Sequence, residues 1–134
     1  MPQISLKLSK NIDIKHIALA DVFASIHQEL GKVPNMNVNT CNSGMIQEDY
    51  SYIGLGDEKV TKVYLEVLWL EDAQRSILKK ELAQRLMSIL EHKLVPQIEK
   101  QGLVCVPRVR IGDLGAIDHD YHISKRASLA GSTP

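Results

Sequence analysis

The sequence predicts an α+β domain in which two β-α-β units form one mixed sheet and keep both helices on a single face. Three observations lead there. The hydrophobic period runs from two to between three and four and back to two, and then repeats that order once along the chain. Turn residues fall between the periodic stretches: Lys10-Asn11, Gly31 to Pro34, Gly54 to Asp57 and Gly102. The length of 134 residues, with 44% hydrophobic and 24% charged residues, is that of one domain able to bury a core rather than a disordered chain.

The first unit opens with an alternating segment over residues 2–8. Ile4, Leu6 and Leu8 point one way and Gln3, Ser5 and Lys7 the other, as in a strand with one buried face. From Ile14 to Leu30 the apolar residues Ile14, Ile17, Val22, Phe23, Ile26 and Leu30 recur at helical steps. Asp13 is the expected N-cap of this helix and Gly31 its stop. A second strand is expected over Met36–Cys41, where Met36, Val38 and Thr40 alternate with Asn37, Asn39 and Cys41. Residues 45–58 read as turns, with a short extra strand near Tyr50–Ile53.

The second unit begins with TKVYLEVLWL, residues 61–70. Val63, Leu65, Val67 and Trp69 line one face, and Tyr64, Glu66, Leu68 and Leu70 make the other largely apolar as well. Such a strand belongs in the middle of a sheet or against a neighbouring subunit. The helix expected over 72–93 carries a stripe of Ile77, Leu78, Leu82, Leu86, Ile89 and Leu90, and Pro96 should end or kink it. A last long strand is expected over 103–111, where Pro107 marks an edge or a bulge. A short strand near Tyr121–Ile123 would complete a single domain over 1–123, and 124–134 reads as a loose tail. Right-handed crossovers put both helices on the same side, which leaves the other face of the sheet without cover. A homo-oligomer would bury it.

Lys plus Arg and Asp plus Glu both number 16, so the net charge is zero. A nucleic-acid binder usually has a basic surplus, and this chain has none. No apolar run is long enough to span a membrane. The start, MPQISLKLSK, lacks a basic head followed by an apolar stretch, so a cytoplasmic protein with Cys41 and Cys105 as free thiols is expected.

Pro2 follows the initiator Met directly. Removal of Met1 would leave a proline whose nitrogen is a free secondary amine. Met1-Pro2, Val33-Pro34 ahead of the second strand and Ala73-Gln74-Arg75-Ser76 at the start of the second helix, set within the doubled unit, resemble the tautomerase superfamily. The 5-carboxymethyl-2-hydroxymuconate isomerase branch is the nearest likeness, over most of residues 2–112. The resemblance implies a trimer or hexamer that moves a proton within a small enol or keto acid, with no cofactor and no metal. It assigns the proton transfer to Pro2 and a substrate carboxylate to Arg75.

The chemistry agrees with that assignment. An α-amino group titrates at about 7.7–8.0 in simple peptides. Burial and a nearby cation would each lower that value and make the amine a base at neutral pH. The chain departs from the family on the second strand, where Asn39 and Cys41 stand in place of a further basic residue. Arg108 and Arg110 on the last strand are the candidates to replace it as substrate ligands, across a subunit boundary. A non-catalytic oligomer of the same fold, binding a ligand or purely structural, is the alternative that this departure favours. A ferredoxin-like dimer is a further reading of the doubled unit. The Asp118–His122 segment, DHDYH, has ligand-type residues but no distant partner that would make it a metal site.

Overall fold

The structure is a computed structural model and describes residues 2–114. The expectations placed on Tyr121–Ile123, on the 124–134 tail and on the Asp118–His122 cluster lie outside the described residues. Four strands and two principal helices follow in the order β1 (Gln3–Leu8), α1 (Leu19–Leu30), β2 (Asn42–Gln47), β3 (Val60–Trp69), α2 (Ala73–Ile89), a short α3 (Val95–Glu99) and β4 (Val104–Asp113). The sheet order is β2-β1-β3-β4. Strand β1 runs parallel to β2 and antiparallel to β3, and β3 runs parallel to β4. The expected α+β architecture is therefore present: two crossover units joined along β1 and β3, with the helices layered on one face.

The core lies between that face and the helices. Ile4, Leu6 and Leu8 of β1 and Val63, Leu65, Val67 and Trp69 of β3 meet Val22, Ile26 and Leu30 of α1 and Leu82 and Leu86 of α2, all of them buried. The period-two and helical stripes of the sequence converge there. Ser9 is fully buried as well, but it is satisfied: its Oγ accepts from the Lys62 amide at 2.8 Å and donates to Asn11 Oδ1 at 2.7 Å. No described helix is long and apolar enough to cross a membrane.

Several boundaries differ from the sequence expectation. The first helix is two pieces. Asp13 caps a single 3-10 turn over Ile14–His16, and α1 begins only at Leu19. Its N-cap, Ala18, has no capping side chain; Gln97 from the second half supplies the acceptor instead, its Oε1 lying 2.8 Å from the Ala18 amide. The second strand starts at Asn42, after the stretch expected to form it. Asn37 Oδ1 accepts from the Asn39 amide, which winds Val38–Thr40 into a 3-10 turn. Tyr50–Ile53 forms no strand and belongs to a turn-rich loop.

Pro96 does not end the second helix. The chain widens to a π turn over Leu90–Leu94, and Pro96 then sits in the first turn of α3, where its missing N–H costs little. Gly102, at φ +78, stops it. Ile77 is 81% exposed and lies outside the stripe. Pro107 does not interrupt β4: it holds the register opposite Val63 on an edge strand.

Candidate functional site at the Pro2 end of the sheet

Strand pairing fixes the surroundings of Pro2. Gln3 pairs with Asn42 on one side and with Leu68 on the other. Pro2, one residue earlier, therefore lies between the backbone positions of Cys41 and Trp69. Its carbonyl accepts from the Asn42 amide at 3.2 Å. By strand alternation its ring shares the helix-side parity of Ile4, Leu6 and Leu8, and the residue is buried.

Arg75 reaches the same end of the sheet from the first turn of α2. Asp72 caps this helix, its Oδ1 accepting from the Arg75 amide at 2.8 Å. A cation in the first turn opposes the helix dipole. The side chain turns back past the helix end, where carbonyls await it. Nη1 donates to the Leu70 carbonyl at 2.8 Å and Nη2 to the Asn35 carbonyl at 3.0 Å. The guanidinium carbon stands 5.8 Å from the centroid of the Trp69 ring. Asn35 presents its carbonyl from a left-handed conformation at φ +60, which asparagine tolerates better than most side chains. Pro2 and Arg75 thus flank one buried tryptophan.

Arg108 and Arg110 lie elsewhere. Both project from β4 on the face away from the helices, with Arg108 5.4 Å from the Tyr64 ring centroid and Arg110 Nη1 3.2 Å from Glu66 Oε2. Tyr64, followed by Glu66, holds the Arg110 guanidinium above its ordinary pKa. Within one chain they are on the opposite face from Pro2 and do not join it. That face also carries Ile46, Val104 and Val106 exposed, and a groove of about 350 Å³ where Gly44 leaves a gap beside Gln3, Ser5, Asn42 and Leu68. Cys41 adjoins Pro2, and burial pushes its thiol up from the usual range. A cavity of about 620 Å³, lined by Tyr50, Tyr52, Lys10 and Asp57, opens at the other end of the sheet.

Neither a family model nor a curated protein matches the sequence. Solved structures do match the fold. A 5-carboxymethyl-2-hydroxymuconate isomerase from Deinococcus radiodurans R1 is 14% identical, with 93% of this chain and 94% of that one covered at a TM-score of 0.70. A 5-carboxymethyl-2-hydroxymuconate delta-isomerase is 11% identical, with 90% and 87% covered at 0.72. Pt0534 inactivated by 2-oxo-3-pentynoate is 9% identical, with 84% and 85% covered at 0.58. The chain has the tautomerase-like fold.

Within that fold, sequence reasoning singled out Pro2 and Arg75, and the structure brings them to one end of the sheet. It missed Trp69 and Asn35 as their neighbours. Trp69 read as one more core residue on an apolar strand face. The signal that it differs is its place as the last residue of β3, six positions before a basic residue on the next helix.

Proposed function

We propose that this chain is a tautomerase-like isomerase that moves a proton within a small enol or keto acid. With Met1 removed, Pro2 is the proton carrier and Arg75 the carboxylate anchor. The observation that carries this reading is the convergence of a buried Pro2 and the Arg75 guanidinium on Trp69 at one sheet end, in a fold shared with isomerases. Burial and the nearby guanidinium both disfavour a charged amine, so Pro2 would be a base near neutral pH. In ketonisation the enol O–H bond breaks and a C–H bond forms. Atoms and oxidation state are conserved, so the chemistry requires no cofactor.

The active form in this proposal is a homo-oligomer, and a trimer is the arrangement that the likeness to the tautomerase superfamily implies. The sheet face without helices carries Ile46 at 53%, Val104 at 53% and Val106 at 71% exposure, an apolar surface that a second copy would cover. Arg108 and Arg110 stand on that face, and they would join a site only at such a boundary. Sedimentation of the untagged chain tests the assembly.

The test of function is ketonisation of phenylenolpyruvate and of a 2-hydroxymuconate-type enol by untagged protein, with intact mass to establish loss of Met1. Activity should fall at least tenfold in Pro2→Ala. The wild type should also gain the mass of one 2-oxo-3-pentynoate at Pro2, since a neutral amine adds to an electrophilic alkyne. Activity indifferent to Pro2 would end the reading. A non-catalytic ligand-binding protein of the same fold is the second reading, favoured by one observation: both Nη groups of Arg75 are already engaged by backbone carbonyls.

A further inference from the structure

Two N–H donors beside Pro2 are buried and bond to nothing among the described residues: Trp69 Nε1 and Arg75 Nε. Trp69 is wholly enclosed, at 0% exposure. A buried donor without an acceptor is costly and uncommon, and it marks a place where a bound group belongs. The two cannot satisfy each other, because both only donate. Both belong to the same contact, in which the guanidinium carbon is 5.8 Å from the indole centroid.

The missing group has to accept twice. Water accepts as well, but it carries no charge to answer the guanidinium. A carboxylate is an acceptor only, its two oxygens span separated donors, and its charge answers the guanidinium. We infer that Trp69 Nε1 and Arg75 Nε together hold one carboxylate, which makes Trp69 a substrate-positioning residue. This rests on the proposed reading of an acid substrate at the Pro2 end. Arg75 is half-buried, so its outer edge can open to admit the anion. The pair also supplies what the turn ahead of β2 lacks, where Asn39 and Cys41 carry no cation.

Trp69 is the only tryptophan in the chain, so it reports on its own site. Full-length untagged protein is titrated with succinate, and in parallel with neutral dimethyl succinate, while emission is excited at the red edge of tryptophan absorption. The expected result is a saturable change with succinate and none with the ester. Trp69→Phe keeps an aromatic ring beside the guanidinium and removes the N–H together with part of the indole, so its folding is checked by near-UV circular dichroism first. Calorimetry on that variant should show succinate bound about tenfold more weakly, the loss of one hydrogen bond to a charged group. For an enol acid its KM should rise while kcat changes little. Emission blind to succinate, an equal response to the ester, or unweakened binding by the variant would each overturn the inference. Pro2-dependent turnover without a succinate response would leave the proposed function standing and remove this site. Succinate capture without turnover would do the reverse.

Discussion

Replacing Arg75 by alanine removes two hydrogen bonds from a cationic donor to backbone carbonyls, at 2.8 and 3.0 Å, and a stacking contact with Trp69. Hydrogen bonds from charged groups contribute about 1.5–3 kcal/mol each, and partial exposure brings these two toward about 1. The cation–π contact adds about 0.5–1 kcal/mol. The expected loss is therefore about 2–3 kcal/mol, or a Tm lowered by about 8 °C. Part of that loss is local. Asn35 is tied to the second unit through this guanidinium, so amides of the Val33–Met36 segment should exchange faster in the variant. Denaturant unfolding followed by far-UV circular dichroism measures the difference, with an unchanged m-value as the check on two-state behaviour. Arg85→Ala serves as the control, since among the described residues Arg85 makes an exposed i,i+4 pair with Glu81, and its loss should cost under about 0.5 kcal/mol. An Arg75→Ala protein as stable as that control would refute the clamp. The point bears on function too, because activity of any Arg75 variant must be measured where the variant is still folded.

Gln97→Ala should cost about 1 kcal/mol, because it deletes the acceptor that caps α1 from the other half of the molecule; faster exchange at the Ala18 amide separates this from a general loosening. Glu48 is held below the usual carboxylate range by its hydrogen bond to Lys62 and then by Ser51. Its contribution is present above the unfolded pKa of about 4.3 and is lost as pH falls through the lowered folded value. The stability gap between wild type and Glu48→Gln should accordingly be flat from neutrality to pH 5 and close below pH 4. Burial raises the thiols of Cys41 and Cys105, so alkylation by iodoacetamide should stay slow at neutral pH and accelerate only above the range of an ordinary cysteine.

The sequence displayed the doubled unit because its strongest elements are amphipathic in one period each. Ile4-Leu6-Leu8, Val63 to Trp69 and Val22-Ile26-Leu30 all face the one core. β2 was harder to read because it is an edge strand with one face uncovered. Asn42-Ser43-Gly44-Met45-Ile46-Gln47 alternates weakly, whereas Met36-Val38-Thr40 imitates alternation while Asn37 folds it into a turn. At the site, Pro2 and Arg75 were legible as a chain start and as a cation misplaced for its helix dipole. Their convergence was not. It depends on the antiparallel pairing of β1 with β3, which sets Pro2 beside Trp69, and on a carbonyl offered by Asn35 from the far side of the first unit. Neither is a local property of the residues involved.

The π turn at Leu90–Leu94 has a consequence for phase. The fully or nearly buried residues Leu82, Leu86, Leu90, Leu94 and Ile98 recur at every fourth position. An ideal α-helix advances about 100° per residue, so each such step drifts about 40° and four steps would carry Ile98 about 160° around the axis. A wider turn lags where the α-helix leads, and placed mid-way it returns the drifting row to the core. The segment behaves as a vernier between two periodicities. Deleting one residue inside it would turn the Leu90–Leu94 step into three residues, about 300°, and return Leu94 and Ile98 to the core row in an unbroken α-helix, so a deletion there should be tolerated.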